Sequence, residues 1–399
     1  MKKYLITGAA GFIGANFVKH LIEAYGNDVE IVIVDALTYA GNLQTISEEI
    51  ARDNVTFVKG DIGDAALIDR LLAEHDPDFV VNFAAESHVD RSITNPRLFL
   101  ETNILGTQTL LDACRRAWLT GTDDARRPVY REGKRFLQIS TDEVYGALPK
   151  EYDIPQPLTL GEEVARVAAG RNNLVCYGVT MFTETTPLSP RSPYSASKAS
   201  ADMLTEAYRE TYAMPVLITR CSNNYGPCQF PEKLIPLIIK NILEGRKIPV
   251  YGRGENVRDW LYVDDHARAI DLVLRRGRLG EIYNIGGFNE ASNIDIVRRV
   301  ISTVASFVAS APAYRALSKL DAADINDSLI EFVTDRPGHD MRYAIDPTKI
   351  ATELGWYPAT PFDEGIVKTV RWYLDNRRWV DSVTSGEYQS YYSRMYENR

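Results

Sequence analysis

Three glycines place the tightest constraint on what this chain can become. Gly8, Gly11 and Gly14 lie between an apolar run, Tyr4-Leu-Ile-Thr7, and a helical pattern over residues 12–25. A strand-to-helix turn this short needs glycine to turn, to let the backbone approach a pyrophosphate, and to pack the helix close to its strand. The helix N-terminus then offers N–H groups to phosphates. Asp35 follows 21 residues after Gly14, at the end of the next apolar run, Ile31–Val34. A carboxylate there accepts hydrogen bonds from ribose hydroxyls and repels a 2′-phosphate. The pattern therefore predicts a dinucleotide site, and NAD over NADP.

Further apolar runs fall at Val55–Val58, Phe79–Phe83, Phe136–Ile139 and Val216–Thr219, with helical patterns near 65–74 and over 98–118. Short apolar strands alternating with helices predict parallel pairing with both sheet faces covered, a doubly wound α/β fold. Residues 1–220 are expected to form the dinucleotide-binding domain, with a later return of the chain near 246–275. Residues 221–399 are expected to be mainly a smaller α/β lobe with substrate-facing loops, because Pro, Gly and charged residues are frequent there. The stretch 147–190, rich in Pro, Thr and Glu, is expected to be a long excursion between two core elements.

Composition narrows the partners. The chain has 399 residues, a formal net charge of -9 and a pI near 5.3. That balance argues against a basic nucleic-acid footprint. No apolar run reaches the ~20 residues that cross a bilayer, and glycines break the N-terminal run too early for a secretory core. No membrane partner is expected. The four cysteines form no CxxC and no zinc spacing, so no metal site is expected, and free thiols in the cytoplasm are.

Two constellations carry chemistry. Tyr194 and Lys198 stand four apart in a helical pattern and so share a face. An ammonium beside the phenol is expected to lower the tyrosine pKa and suit it to act as a base toward a sugar hydroxyl. Ser140-Thr141-Asp142-Glu143 directly follows the fifth strand, at the sheet edge where open α/β folds bind ligands. Paired carboxyls in different environments can divide the roles of acid and base.

The Gly8–Gly14 spacing resembles that of the short-chain dehydrogenase/reductase superfamily, and Thr141–Gly146 resembles the active-site signature of its extended nucleotide-sugar 4,6-dehydratase branch. That resemblance implies a Rossmann-like doubly wound sheet with a smaller C-terminal substrate lobe. It implies Asp142 as general acid, Glu143 as general base and Thr141 near the C4 oxygen of the sugar, with Tyr194 and Lys198 also catalytic. Epimerases of the superfamily typically lack the Asp-Glu pair. For the cofactor, NAD, it implies Gly8, Gly11, Phe12, Ile13 and Gly14 at the turn, then Asp35, Leu37 and Thr38. Asp61 and Ile62 fall near the adenine, and Phe83, Ala84 and Ala85 near the nicotinamide ribose. Thr102, Tyr194, Lys198 and Asn224 complete that set.

The resemblance runs almost end to end, through Ala84–Ser92, Cys221–Pro227, Phe230–Pro236 and Asp335–Asp340. It implies substrate contacts at Ser87, Thr141, Asn223, Lys233 and Leu234. Further contacts are implied at Pro249, Tyr251, Arg258, Asn293, Arg336 and His339. A diphosphate needs cations; Arg258 and Arg336 suit bidentate clamps and Lys233 a point charge. Neither His88 nor His339 is assigned a proton-transfer role. These motifs match dTDP-glucose members better than UDP-, GDP- or CDP-sugar members, so dTDP-glucose is the expected substrate. The branch is usually homodimeric through a helix pair, which 98–118 and 197–212 suit. A 4-epimerase, a decarboxylase and a non-catalytic NAD sensor remain rival readings. Two segments exceed the usual length, 143–194 and 293–335, the latter with an Ala/Ser-rich run at 302–313. Both are expected to decorate loops.

Overall fold

The computed structural model describes residues 1–168, 174–335 and 339–384. Seven strands form one parallel sheet: β1 (Lys2–Thr7), β2 (Val29–Asp35), β3 (Val55–Lys59), β4 (Phe79–Asn82), β5 (Arg135–Thr141), β6 (Val216–Cys221) and β7 (Ile282–Ile285). Their order is β7-β6-β5-β4-β1-β2-β3. Thr7 at the end of β1 is in register with Val34 of β2 on one side and Asn82 of β4 on the other. The strand order reverses there, and ligands bind at such a reversal in open α/β sheets.

Side-chain alternation explains the consecutive apolar residues in the strand centres. Tyr4, Ile6, Ile31 and Ile33 enter one buried cluster with helices Phe12–Tyr25 and Val263–Arg276. Leu5, Val32 and Val34 enter the opposite cluster with helices Ala65–His75 and Thr107–Trp118. Successive strand residues point to opposite faces, and both faces here are covered, so apolar residues run consecutively through the strand centres.

A second cluster is built from helices Leu234–Leu243, Asn293–Ser310 and Phe362–Asp375 and strands Ile248–Tyr251 and Val257–Tyr262. The chain leaves the sheet at Cys221 and enters this lobe at Asn223–Tyr225, which pairs with Val257–Tyr262. It re-enters the sheet through helix Val263–Arg276 and β7, then leaves again for Glu290–Ser292. The 147–190 excursion holds two short elements, Gln156–Pro157 paired with Val175–Cys176 and helix Glu162–Val167. Arg342, fully buried, ties it down. Its guanidinium grips Glu290 at 2.7 and 2.8 Å and donates to the carbonyls of Gly178 and Thr180 at 2.9 and 2.8 Å.

Three features differ from the sequence reading. The Ala/Ser-rich run is no loop decoration: residues 293–310 are one helix, with Val297, Val300, Ile301, Val304 and Val308 buried. The 98–118 pattern is helical but broken, with a wide π-turn at Leu100–Gly106 before the regular helix. β7 and the hairpin Leu119–Thr122 with Pro128–Tyr130 are additional elements.

Candidate active site

The glycine turn is shaped for close approach. Gly8 has φ +69°, and a Cβ there would sit 2.6 Å from Ala84 N, so no other residue fits. A Cβ at Gly14 would meet the Gly8 carbonyl at 2.6 Å. Asp35 closes this end. Its two carboxylate oxygens accept from Ala10 N–H at 2.9 Å and Leu37 N–H at 2.8 Å. Burial pushes its pKa up while the two N–H groups oppose the rise. Each carboxylate oxygen keeps a second acceptor direction for a ribose hydroxyl.

One cleft runs from this turn across the C-terminal edge of the sheet. It is lined by Gly8, Gly11, Phe12, Ile13, Gly14, Asp35 and Thr38, then by Asp61, Ile62, Phe83, Ala84, Ala85, Ser87 and Thr102. At its far end it gathers Thr141, Asp142, Glu143, Tyr194, Lys198, Asn223, Asn224 and Lys233. The Asn223 side-chain oxygen and one Asp142 oxygen are buried there without a protein partner. A tight glycine cradle, a ribose-directed carboxylate and unpaired polar atoms fit a bound dinucleotide and a polar substrate.

Local sequence sets the reacting groups. β5 ends at Thr141, whose hydroxyl accepts Glu143 N–H at 3.3 Å and caps the turn Asp142–Tyr145. Thr141 also donates to Asp142 at 3.3 Å. The helix Pro193–Tyr212 starts with a capping box: Ser192 accepts from Ser195 N–H at 3.0 Å, and Ser195 returns the bond to Ser192 N–H at 3.0 Å. Pro193 occupies the first helical position, where a missing N–H costs nothing. This fixes Tyr194 in the first turn, with Lys198 one turn on.

The electrostatics separate the groups. Asp142 is almost fully buried, and burial, followed by Glu143 and Asp259, raises its pKa well above the carboxylate range, opposed by Arg258. That shift favours the protonated form and suits the group to give a proton. Asp259, itself pushed up to about 6 by burial, accepts from Gly287 and Asn289 N–H at 2.7 Å each.

The expectation that Lys198 lowers the Tyr194 pKa is not met. Burial, then Glu143, raises Tyr194 well above its usual value, and the Thr141 hydroxyl opposes the rise. Lys198 instead donates to the Ile139 carbonyl at 2.7 Å and is itself lowered by burial, with Asp202 opposing. Asp202, one turn further along the helix, accepts from Arg220 at 2.8 Å and Ser140 at 2.9 Å; Arg220 reaches the Tyr145 hydroxyl at 3.0 Å. This buried network clamps β5, β6 and the tyrosine helix together beneath the site.

Several expected contacts lie off the cleft wall. Leu37, with φ 54°, packs against the sheet core, and Leu234 packs into the second lobe. Pro249 and Tyr251 sit on the strand paired with Ile330–Val333. The Tyr251 hydroxyl is 3.5 Å from Asp90, and its ring meets His339 edge-on at 6.1 Å. His339 pairs with Asp335 at 2.7 Å. Arg258 is buried, reaches the Val257 and Asp340 carbonyls at 2.8 and 2.9 Å and stacks on Tyr343. Asn293 opens its helix, with its N–H on the Asn256 carbonyl at 2.9 Å. Arg336 lies outside the described residues. Conversely, Tyr39, Glu86, Phe230 and Glu232 line the cleft but were not singled out from the sequence. Glu86 falls within Ala84–Ser92, and Phe230 and Glu232 within Phe230–Pro236, segments the resemblance covered, whereas Tyr39 lay outside every such segment.

This fold and site define a nucleotide-sugar enzyme of the short-chain dehydrogenase/reductase kind. The profile of the family described as GDP-mannose 4,6 dehydratase matches residues 5–157 and 176–369, and the chain belongs to that family. Proteins similar to this chain include dTDP-glucose 4,6-dehydratases. That of Xanthomonas campestris pv. campestris is 49% identical over 389 residues, 98% of this chain and 98% of its own length. That of Salmonella typhimurium is 47% identical over 397 residues, 100% of this chain and 99% of its own. The structure of the Streptomyces venezuelae dTDP-glucose 4,6-dehydratase with NAD and TYD bound matches at TM-score 0.77 and 41% identity, covering 96% of this chain and 99% of that one.

Proposed function

We propose that this chain converts dTDP-glucose to dTDP-4-keto-6-deoxyglucose as a hydro-lyase, in deoxysugar nucleotide biosynthesis, with NAD as its bound cofactor. The observation that carries the reading is a buried Asp142, its pKa pushed up by burial, beside Glu143 at the end of β5, in one cleft with Tyr194. The relatives of like length bear the same name.

The Gly8–Gly14 turn receives the pyrophosphate, Asp35 the adenosine ribose, and Tyr194, Lys198 and Asn224 the nicotinamide end. NAD supplies a hydride acceptor at C4 that later serves as donor at C6. Tyr194 would take the proton of the C4 hydroxyl once the positive charge of a bound nicotinamide offsets the burial that raises its pKa, and Thr141 would hold the C4 oxygen. The ketone at C4 acidifies C5–H. Glu143 removes that proton, and Asp142 gives its own to the C6 oxygen, which leaves as water. Glu143 returns a proton to C5. Water exclusion strengthens each of these contacts. Asn223 and Lys233 serve the nucleotide diphosphate.

The division of labour follows: residues 1–220 hold the dinucleotide, and residues 221–399 mainly hold the substrate. The working unit is a homodimer. Ile93, Leu98, Leu100, Leu105 and Met203 are exposed on the segments 89–106 and 193–212, which pack on each other, and an apolar face of this kind calls for a partner surface. Among the described residues no helix is long and apolar enough to cross a membrane. All four cysteines are unpaired, which suits the cytoplasm.

The test is mass analysis of dTDP-glucose and UDP-glucose after separate incubation with the purified protein, without added NAD. The expected result is loss of one water from dTDP-glucose, with UDP-glucose much slower. No water loss from either, even with NAD supplied, overturns the reading.

A further inference from the structure

The loop after β2 is tied across the cleft mouth by three residues that the chemistry above does not use. Tyr39 lies on this loop and lines the cleft beside Thr38 and Gly41. The Arg91 guanidinium stacks on its ring, 3.7 Å from the centroid. Arg91 comes from the short helix Val89–Thr94 that follows β4. The same guanidinium pairs with Glu232 at 3.3 Å, and the Glu232 carboxylate stands close enough to the Tyr39 phenol to help raise its pKa. Glu232 belongs to the second lobe and is buried. Its neighbour Phe230 meets the Tyr39 ring edge-on at 5.7 Å.

Three chain segments from two lobes therefore converge on one aromatic ring. The loop has further ties. Asn42 N–H donates to the Ala10 carbonyl in the glycine turn at 3.1 Å, and the Asn42 amide reaches Ser382 at 3.1 Å. Trp379 donates to Thr45 at 3.0 Å. Gly41 folds back on Asp35 so closely that a Cβ would lie 2.9 Å from its carboxylate. A dinucleotide seated on the glycine turn and Asp35 would lie beside this loop and the Tyr39 contacts. A planar guanidinium is suited to the task, since it stacks on the ring and pairs with the carboxylate at once.

We propose that Tyr39, Arg91 and Glu232 form a clasp across the cleft that sets the residence time of the bound dinucleotide. They are positioning residues, and the inference rests on the NAD reading above. A reaction that returns its hydride to its own substrate gains from a cofactor that stays for many turnovers, and the clasp supplies that retention separately from the reacting groups.

The experiment uses the purified holoenzyme. Deuterium-labelled NAD is added in excess, and the exchange of protein-bound NAD is followed by mass spectrometry. Arg91→Ala is expected to exchange at least about tenfold faster than the parent, in keeping with the loss of a stacked cation and a buried ion-pair partner. Its dehydratase activity is expected to rise on addition of NAD, whereas that of the parent does not. Arg91→Lys, which keeps the charge and loses the flat stacking face, is expected to fall between the two. Arg116→Ala, which breaks an exposed pair with Asp69, is the control and exchanges like the parent. Exchange by Arg91→Ala at the parent rate overturns the clasp. If Arg91→Ala does not fold, Tyr39→Leu decides: faster exchange upholds the clasp, and parent-like exchange overturns it. A parent protein that neither carries nor binds NAD overturns the functional reading itself, and the clasp with it.

Discussion

Asp142 and Glu143 are neighbours in the chain, yet Asp142 is sealed from solvent while Glu143 is only half-buried. The turn that follows β5 leaves the two carboxyls in different surroundings, and the proposed division into proton donor and acceptor rests on that difference. Glu143→Gln is expected to lose dehydration by about 10²–10⁴-fold, the usual worth of a positioned general base, while still oxidising C4. Rapid mixing with dTDP-glucose, followed by mass analysis of quenched sugar, would show a 4-keto sugar that keeps its 6-hydroxyl. Full turnover by this variant removes Glu143 from the role.

Asp142 also bears on stability. Its folded-state pKa is raised above the unfolded value, so its contribution is fully present below the unfolded carboxylate pKa and is lost as pH rises through the folded pKa. Asp142→Asn is therefore expected to melt higher than the parent at alkaline pH, with the gain shrinking toward acid pH where both forms are neutral. Activity falls in the same variant at every pH, because the amide has no proton to give. Thermal melts across pH, paired with assays, test both halves; equal melting at high pH contradicts the buried-acid account.

Arg342 is expected to be the most sensitive anchor of the 147–190 excursion. Arg342→Ala strands Glu290 as a buried, uncompensated anion and frees two loop carbonyls, at a cost of about 3–5 kcal/mol, typical of breaking a buried pair from one side. Urea unfolding should show the loss. Replacing both partners with apolar residues should recover part of it, and a single variant as stable as the parent rules out this anchoring.

The exposed apolar face makes a claim about assembly. Leu105→Asp puts a charge on this face and is expected to leave the protein monomeric in light scattering, under conditions where the proposed dimer of the parent forms. A parent that is already monomeric at assay concentration would exclude this face as an interface.

The legible parts of the molecule were those fixed locally. The glycine turn, the helix at 12–25 and strands β1 to β6 follow from near-neighbour sequence, because turn chemistry and a fully covered parallel sheet each leave a short-range pattern. β7 was missed: four residues give too little pattern, and its place is set by pairing with β6. The 293–310 helix was misread from its Ala and Ser content, although Ile296, Val297, Val300, Ile301, Val304 and Val308 keep helical spacing. The Tyr194–Lys198 spacing was legible, but its electrostatics were not. Which atom the ammonium reaches depends on the Ile139 carbonyl, which arrives from a strand 59 residues away. Tyr39 stayed hidden for the same reason, since its partners come from two distant segments.

The chain passes between sheet and second lobe at Cys221–Asn223, at Tyr262–Val263 and again beyond Ile285. Lobes joined by one linker can be cut apart and can swing about a single point. Here a protease that severs any one of these passages leaves the others holding, and a nicked chain should migrate as one body until it is denatured. Mechanically the two lobes form a stitched seam, so access to the cleft has to come from movement of its bordering loops.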